Sequence, residues 1–362
     1  MTTPTTPPLP LPATRPASQE TPQPSRWVRL RTRLEPTIAF LRRYGTILWL
    51  ALIVVAGIYV VTQQRDELVE TWHLIRTANP RWIGGILFLE VFSFVAMAAV
   101  YGLVLAQLGY RVGLPLLVSL HLQRAVVSGL TPMGGPASVV VFIHRLRQRG
   151  IPPQDSLLAT FIKSATGHLA FLLILLPALF VKRPTLIMML GATAIFGTVV
   201  VMFTVIAWVI QGRALPTWMF RYTPRKLLRI LVQLRQHELS LVRMVPPLGI
   251  LILFRLSGIL TLWASLRAVG WNGGLVEPIT AYVVGAILYG IAPLFQGLGI
   301  VEVGTAITLQ RLGVPATMAV SATLISRILG LWLPLAIGVA AQFLEALWKR
   351  WRGSTGIAPS SH

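Results

Sequence analysis

Residues 276–312 read VEPITAYVVGAILYGIAPLFQGLGIVEVGTAITLQRL. The stretch is apolar almost throughout, yet Pro293-Leu294-Phe295-Gln296-Gly297-Leu298-Gly299 breaks it near its middle. Residues 112–143 follow the same plan, broken by Thr131-Pro132-Met133-Gly134-Gly135-Pro136. A cluster of Pro and Gly interrupts helical hydrogen bonding. Non-helical backbone at membrane depth survives only where protein or a wet cavity covers it. Both stretches therefore read as paired half-helices in re-entrant hairpins, with kinked spans or interfacial loops as the competing reading.

Around these hairpins lie six stretches of the length a helix needs to cross the hydrocarbon, about 20 apolar residues. They are Gly45–Thr62, Trp82–Leu108, Leu157–Val181, Pro184–Ile210, Leu248–Val269 and Ala316–Leu347. The composition agrees: 54% hydrophobic, 12% charged, mean hydropathy +0.70. Soluble domains carry roughly 25% charged residues, so an ordinary cytosolic enzyme is excluded, as is a disordered chain. The predicted fold is an all-α polytopic membrane protein with about six full transmembrane helices and two re-entrant broken-helix hairpins.

The remaining charge is lopsided, with 32 Lys and Arg against 11 Asp and Glu, a net +21. With so apolar a chain this points to one side of a bilayer, and no nucleic-acid partner is expected. Taking the N-terminus as cytoplasmic, 21 of the 32 basic residues fall in inside segments and seven outside, as the positive-inside rule requires. The chain is accordingly expected in the cytoplasmic (inner) membrane with both termini inside. Residues 1–44 read as a disordered Pro/Thr-rich tail turning basic from Arg26, and 348–362 as a basic cytoplasmic tail. The basic segments are expected to rest on anionic lipid. Two linkers look interfacial: Gln63–Asn79, with Leu68, Trp72 and Ile75 at helical spacing, and the amphipathic linker 212–245, a surface-lying or bundle-capping helix.

An offset of 163 residues aligns the chain with itself. Gly150-Ile151-Pro152 matches Gly313-Val314-Pro315, and Ala159-Thr160-Phe161-Ile162 matches Ala322-Thr323-Leu324-Ile325. Leu146 matches Leu309, and Gly134 matches Gly297. The charge count puts Gly150 inside and Gly313 outside, so the copies, about 82–181 and 248–345, read as inverted repeats with a site near the midplane.

Glu90, Arg124, Lys163, Arg255, Glu302 and Arg327 fall within membrane segments, where each costs at least ~2.5–3.5 kcal/mol at a helix centre. Such charges must pair or line a polar cavity. Glu302 and Arg327 are expected to pair. Arg124, Lys163, Glu302 and Arg327 are the candidates for a cavity receiving a phosphate or other anionic headgroup, assisted by N–H groups at the broken helix ends. Glu90 and Arg255 read as packing or snorkelling residues. The chain has no Cys, and its six His are scattered without metal-ligand spacing. No metal, cofactor or catalytic residue is expected, and His121 and His168 read as hydrogen-bonded core residues. No oligomeric state follows from the sequence.

Pro293…Gly297-Leu298-Gly299-Ile300-Val301-Glu302 resembles the P-x-G-G-L-G-x-x-E signature of the integral membrane domain of lysylphosphatidylglycerol synthases. Gly313-Val314-Pro315, Arg327, Trp332-Leu333-Pro334 and Gly338 continue the pattern in order. Thr131 to Pro136, then Arg145 and Gly150-Ile151-Pro152, resembles the family's other block. Gln296 and Met133 stand where the family often has Gly. The resemblance implies a flippase-like domain, here 45–347, that moves a phospholipid or lipid-linked molecule between leaflets. It singles out Gly297, Gly299, Glu302 and Arg327 as functional, then Pro132, Gly134, Gly135 and Pro136, with Pro293 completing the second break. The chain extends about 15 residues past its last span, too few for the family's aminoacyl-transferase domain, so synthase activity is not expected. A small-anion or proton-coupled secondary transporter is the alternative. A membrane-embedded transferase would need an activated nucleophile or paired acids, which the sequence does not offer.

Overall fold

The computed structural model describes residues 65–131, 134–181, 186–210, 242–292 and 295–354, all within the compact unit Val55–His362. The tail 1–44, the expected span Gly45–Thr62, linker residues 212–241, Pro132, Pro293 and the last eight residues lie outside the described part.

Every described element is a helix. In chain order they are α1 (Arg65–Arg76), α2 (Pro80–Gln107), α3 (Leu114–Leu130), α4 (Gly134–Arg147), α5 (Pro153–Val181), α6 (Leu186–Ile210), α7 (Val245–Ala268), α8 (Val276–Ile291), α9 (Ile300–Arg311), α10 (Ala316–Arg327) and α11 (Leu333–Ser354). A π turn, Ile328–Trp332, joins α10 to α11. Among the described residues Pro80–Gln107, Pro153–Leu179, Val242–Ala268 and Ala316–Leu344 are long and apolar enough to cross a membrane. The protein is an all-α polytopic membrane protein. The expected crossing Pro184–Ile210 is helical from Leu186, and its stretch Met189–Thr204 is a shorter apolar helix.

Two boundaries differ from expectation for local reasons, and α1 differs in the face it buries. The last helix does not stop at Leu347. It continues through Lys349, Arg350 and Arg352 to Ser354, because nothing before Gly353 disfavours helix. Helix α5 starts four residues earlier than expected, at Pro153, whose fixed φ and missing N–H suit a first helical position. In α1, Leu74 and Ile75 pack on the core and Thr71 is buried, while Trp72 is exposed under the Arg76 guanidinium.

The two broken stretches form the helix pairs α3–α4 and α8–α9. Each follows a long helix and precedes another, so the succession α2–α3–α4–α5 matches α7–α8–α9–α10/α11. Matching junctions use the same turn. Gly150 and Gly313 both adopt positive φ, +81° and +96°. Ile151 N–H donates to the Leu146 carbonyl (3.2 Å) and Val314 N–H to that of Leu309 (3.1 Å). This is a helix end closed by a left-handed residue, a conformation that costs glycine least. Leu146 and Leu309 are both completely buried.

Helices α2 and α7 open the two series and run antiparallel. Glu90 accepts from the Thr261 hydroxyl (3.4 Å), the Ser93 and Ser257 hydroxyls pair (2.8 Å), and Gln107 donates to the Arg243 carbonyl (2.6 Å). As the number rises on one helix it falls on the other. Small hydroxyl residues at this contact let the helices approach closely. One buried cluster, with Tyr101, Leu117, Phe142, Leu146 and Leu158, surrounds the first hairpin; another, with Ile86, Leu266, Leu309, Val314 and Ile325, surrounds the second.

Where α2 ends, Tyr110 donates to the buried Asp155 carboxylate at the start of α5 (2.6 Å). This hydrogen bond pushes the Tyr110 hydroxyl up from 10.0 to about 12, since ionising it would set an anion beside Asp155. The unfolded phenol ionises first, so this contribution is whole below pH 10 and is lost as pH rises towards 12. Tyr110→Phe is expected to lower the melting temperature at neutral pH and to shrink the fall in stability between pH 10 and 12, read by thermal unfolding in detergent.

Candidate functional site

The second break shows how the chain opens its backbone. Helix α8 stops at Ile291, and Gln296, Gly297 and Gly299 take φ of 56°, 73° and 84° before α9 starts at Ile300. Gln296 is the one non-glycine residue with positive φ among those described. A Cβ on Gly297 would stand 2.7 Å from Val301 Cγ2, so the position is restricted by space as well as φ. In the first break, a Cβ on Gly134 would run into the Ser128 backbone, and Pro136 sits in the first turn of α4, where no N–H is required.

Glu302, on the first turn of α9, uses both carboxylate oxygens to close this break. Oε2 accepts from the Gly299 N–H (2.7 Å), and Oε1 accepts from Arg327 Nε (2.6 Å). The helix N-terminus favours the negative charge there. Arg327 also donates to the Gln296 carbonyl (3.3 Å), while the Gln296 amide donates across to the Ala125 carbonyl of α3 (3.4 Å). The expected Glu302–Arg327 pair thus clamps the break, and Gln296 ties it to α3.

Immediately after Arg327 the helix widens into the π turn. Pro334 has no N–H for the Gly330 carbonyl four residues back, and its ring would strike that carbonyl in a regular α-helix; a π turn accommodates both effects. Gly330 meets the Glu90 side chain, 3.0 Å from Oε1 to a Cβ built there.

These elements surround a cavity of about 520 Å³. Four basic side chains from four helices line it: Arg124 (α3), Lys163 (α5), Arg255 (α7) and Arg327 (α10). Glu90 lines it as well, joined by His121, Tyr101, Ser128, Ser138 and Gln296. Of the residues read from the sequence, Arg124, Lys163 and Arg327 meet here. Glu302 is not in the lining; it stands behind Arg327. Gly134, Gly135, Pro136, Gly297 and Gly299 shape the walls without lining them.

Arg255 and Glu90, read from the sequence as packing or snorkelling residues, also belong to the lining. They reach it because α2 and α7 pack antiparallel, which sets two mid-helix charges on one space. His168 is a satisfied core residue bonded to the Ser164 carbonyl (2.7 Å), whereas His121 Nδ1 is buried without a partner.

The cations differ in how they are matched. Among the described residues Arg327 has a carboxylate partner, Glu302. Among the described residues Arg124, Lys163 and Arg255 have none within ion-pairing distance. Aromatic faces hold them instead. The Arg124 guanidinium lies 5.1 Å from the Tyr101 ring and 5.0 Å from Phe142, and donates to the Tyr101 hydroxyl. Lys163 Nζ is 5.7 Å from Tyr101, and Arg255 is 4.9 Å from Phe171. Cation–π contacts contribute roughly 0.5–2 kcal/mol, which does not offset the several kcal/mol of desolvation per ion. The cavity therefore holds unmatched positive charge.

No group of His, Asp and Glu suited to a metal ion occurs among the described residues. A comparison with curated proteins finds no match. The family described as "Lysylphosphatidylglycerol synthase TM region" matches residues 48–338. That range takes in both broken hairpins, the matching series of helices and the whole lining of the cavity, and the chain belongs to this family.

Proposed function

We propose that the protein is a translocase, without covalent chemistry, that passes the anionic headgroup of a phospholipid or lipid-linked molecule across the cytoplasmic membrane through this cavity. Family membership and the spanning helices fit a membrane function involving lipids. The observation that carries the finer reading is the convergence of three unmatched cations on one space walled by two broken hairpins. Cations left unpaired there are compensated when an anion enters. A volume of about 520 Å³ falls in the ~300–1,000 Å³ range of small-molecule sites, enough for a headgroup and too little for the acyl chains, which stay in lipid. The antiparallel α2 and α7 support reading the two series as inverted repeats that open alternately to the two sides, with both termini cytoplasmic.

The test is reconstitution. In liposomes with fluorescent phosphatidylglycerol, the protein is expected to expose inner-leaflet label to an external quencher at least tenfold faster than empty liposomes. Uptake of phosphate or chloride without movement of labelled lipid would replace this reading with a small-anion transporter.

A further inference from the structure

The cavity is not uniform along its length. Tyr101 lies six residues, about 9 Å, before the end of α2, and Glu90 lies eleven residues, about 16 Å, further back, at 1.5 Å per residue. Between Phe94, against which the His121 ring packs (5.1 Å between centroids), and Tyr101, the wall collects polar nitrogens and positive charge. Arg124 Nε and His121 Nδ1 are buried without a partner. The Lys163 ammonium rests on the Tyr101 face, and Arg124 and Arg255 both act on it as neighbouring like charges. His121 feels Lys163 and Arg124 in turn. At the Glu90 end, Arg327 is already neutralised by Glu302, and the Glu90 carboxylate repels anions.

We propose that Arg124, Lys163 and His121 form a phosphate subsite in the part of the cavity between Phe94 and Tyr101, and that it holds a phosphodiester headgroup. The subsite rests on reading the cavity as a headgroup path, and adds which group binds and where. Buried donors without acceptors cost about 1–3 kcal/mol each. A phosphate supplies several acceptor oxygens and a negative charge at once, so one ligand answers the Arg124 Nε donor, the Lys163 charge and, when it carries the proton, His121 Nδ1. The end of the bundle beyond Tyr101 carries Arg111 after α2, and Arg145, Arg147 and Arg149 around the end of α4. The Tyr110–Asp155 bond fixes these two turns together. Arg111, Arg147 and Arg149 are exposed at that end, with Leu105 and Leu108 of the buried cluster lying between them and Tyr101. Arg327 is a positioning residue for the break, not a ligand of the phosphate.

The test uses the full chain in a phosphate-free detergent, with dihexanoylphosphatidylglycerol and inorganic phosphate as separate probes in calorimetric titrations. The wild type is expected to bind the short-chain lipid, and Lys163→Met and Arg124→Gln to weaken it at least tenfold each, with His121→Phe weakening it several-fold. Lys163→Met removes an unmatched buried charge, so the ligand-free variant is expected to melt at or above the wild-type temperature, which separates lost binding from lost folding. Binding of the lipid in preference to inorganic phosphate assigns the subsite to a lipid phosphodiester; equal affinity assigns it to the free anion, and both uphold a phosphate site. No binding of either probe by the wild type, or wild-type affinity in both Lys163→Met and Arg124→Gln, overturns it. Binding without transbilayer movement in liposomes would leave the subsite standing and remove the translocase; movement with binding unchanged in both variants would do the reverse.

Discussion

Glu302→Ala is expected to destabilise the protein by about 3 kcal/mol, the lower end of the cost of stripping one partner from a buried ion pair. The side chains of Arg327 and Glu302 are 19% and 16% exposed, so the charge left on Arg327 gains little from water. The Gly299 N–H loses its acceptor as well. Glu302→Gln keeps a carbonyl for that N–H and should fall less far. Reversing the pair, with Glu302→Arg and Arg327→Glu together, should not restore stability, because an arginine at 302 cannot accept from Gly299. Thermal and denaturant unfolding in detergent reads all three. A Glu302→Ala variant as stable as the wild type, or full rescue by the reversal, would show that the pair does not hold the break.

The parts of this clamp were legible in the sequence for a physical reason. Pro and Gly inside an apolar run can only be a break, and two opposite charges flanking breaks in a bilayer have few ways to be tolerated apart from each other. The Gly150 and Gly313 turns were legible because a left-handed helix end demands the same residue in both copies. Other features were not. Helices α2 and α7 are apolar on nearly every side, so the sequence does not mark the faces that meet, and the roles of Glu90 and Arg255 follow from that meeting. Their mid-helix position is the available signal, and it reads as packing or snorkelling. The left-handed Gln296 went unanticipated because its bond to Ala125 joins segments 171 residues apart. The π turn after Arg327 was not read from the sequence, where Ala316–Leu347 stood as one continuous span, although Pro334 must free the Gly330 carbonyl.

The second large effect concerns the unmatched cations. Each of Arg124, Lys163 and Arg255 comes from a different helix, and no described carboxylate holds any of them in place. Were they present for stability, replacing them with apolar or neutral residues would cost stability. If they serve an anion in transit, the replacement removes a desolvation penalty from the empty protein and a binding site from the working one, a trade seen where function opposes stability. The triple variant Arg124→Gln, Lys163→Met, Arg255→Met is therefore expected to fold at least as stably as the wild type and to move lipid at least a hundredfold more slowly.

The most direct measurement is the rate at which labelled phosphatidylglycerol crosses the bilayer of liposomes containing equal amounts of the wild type or this triple variant, each checked for an unchanged melting temperature. Rapid crossing with the wild type and a rate near that of empty liposomes with the variant is the predicted result. Equal rates from the two proteins would contradict the account, because the headgroup would then be crossing without the charges that the cavity gathers for it.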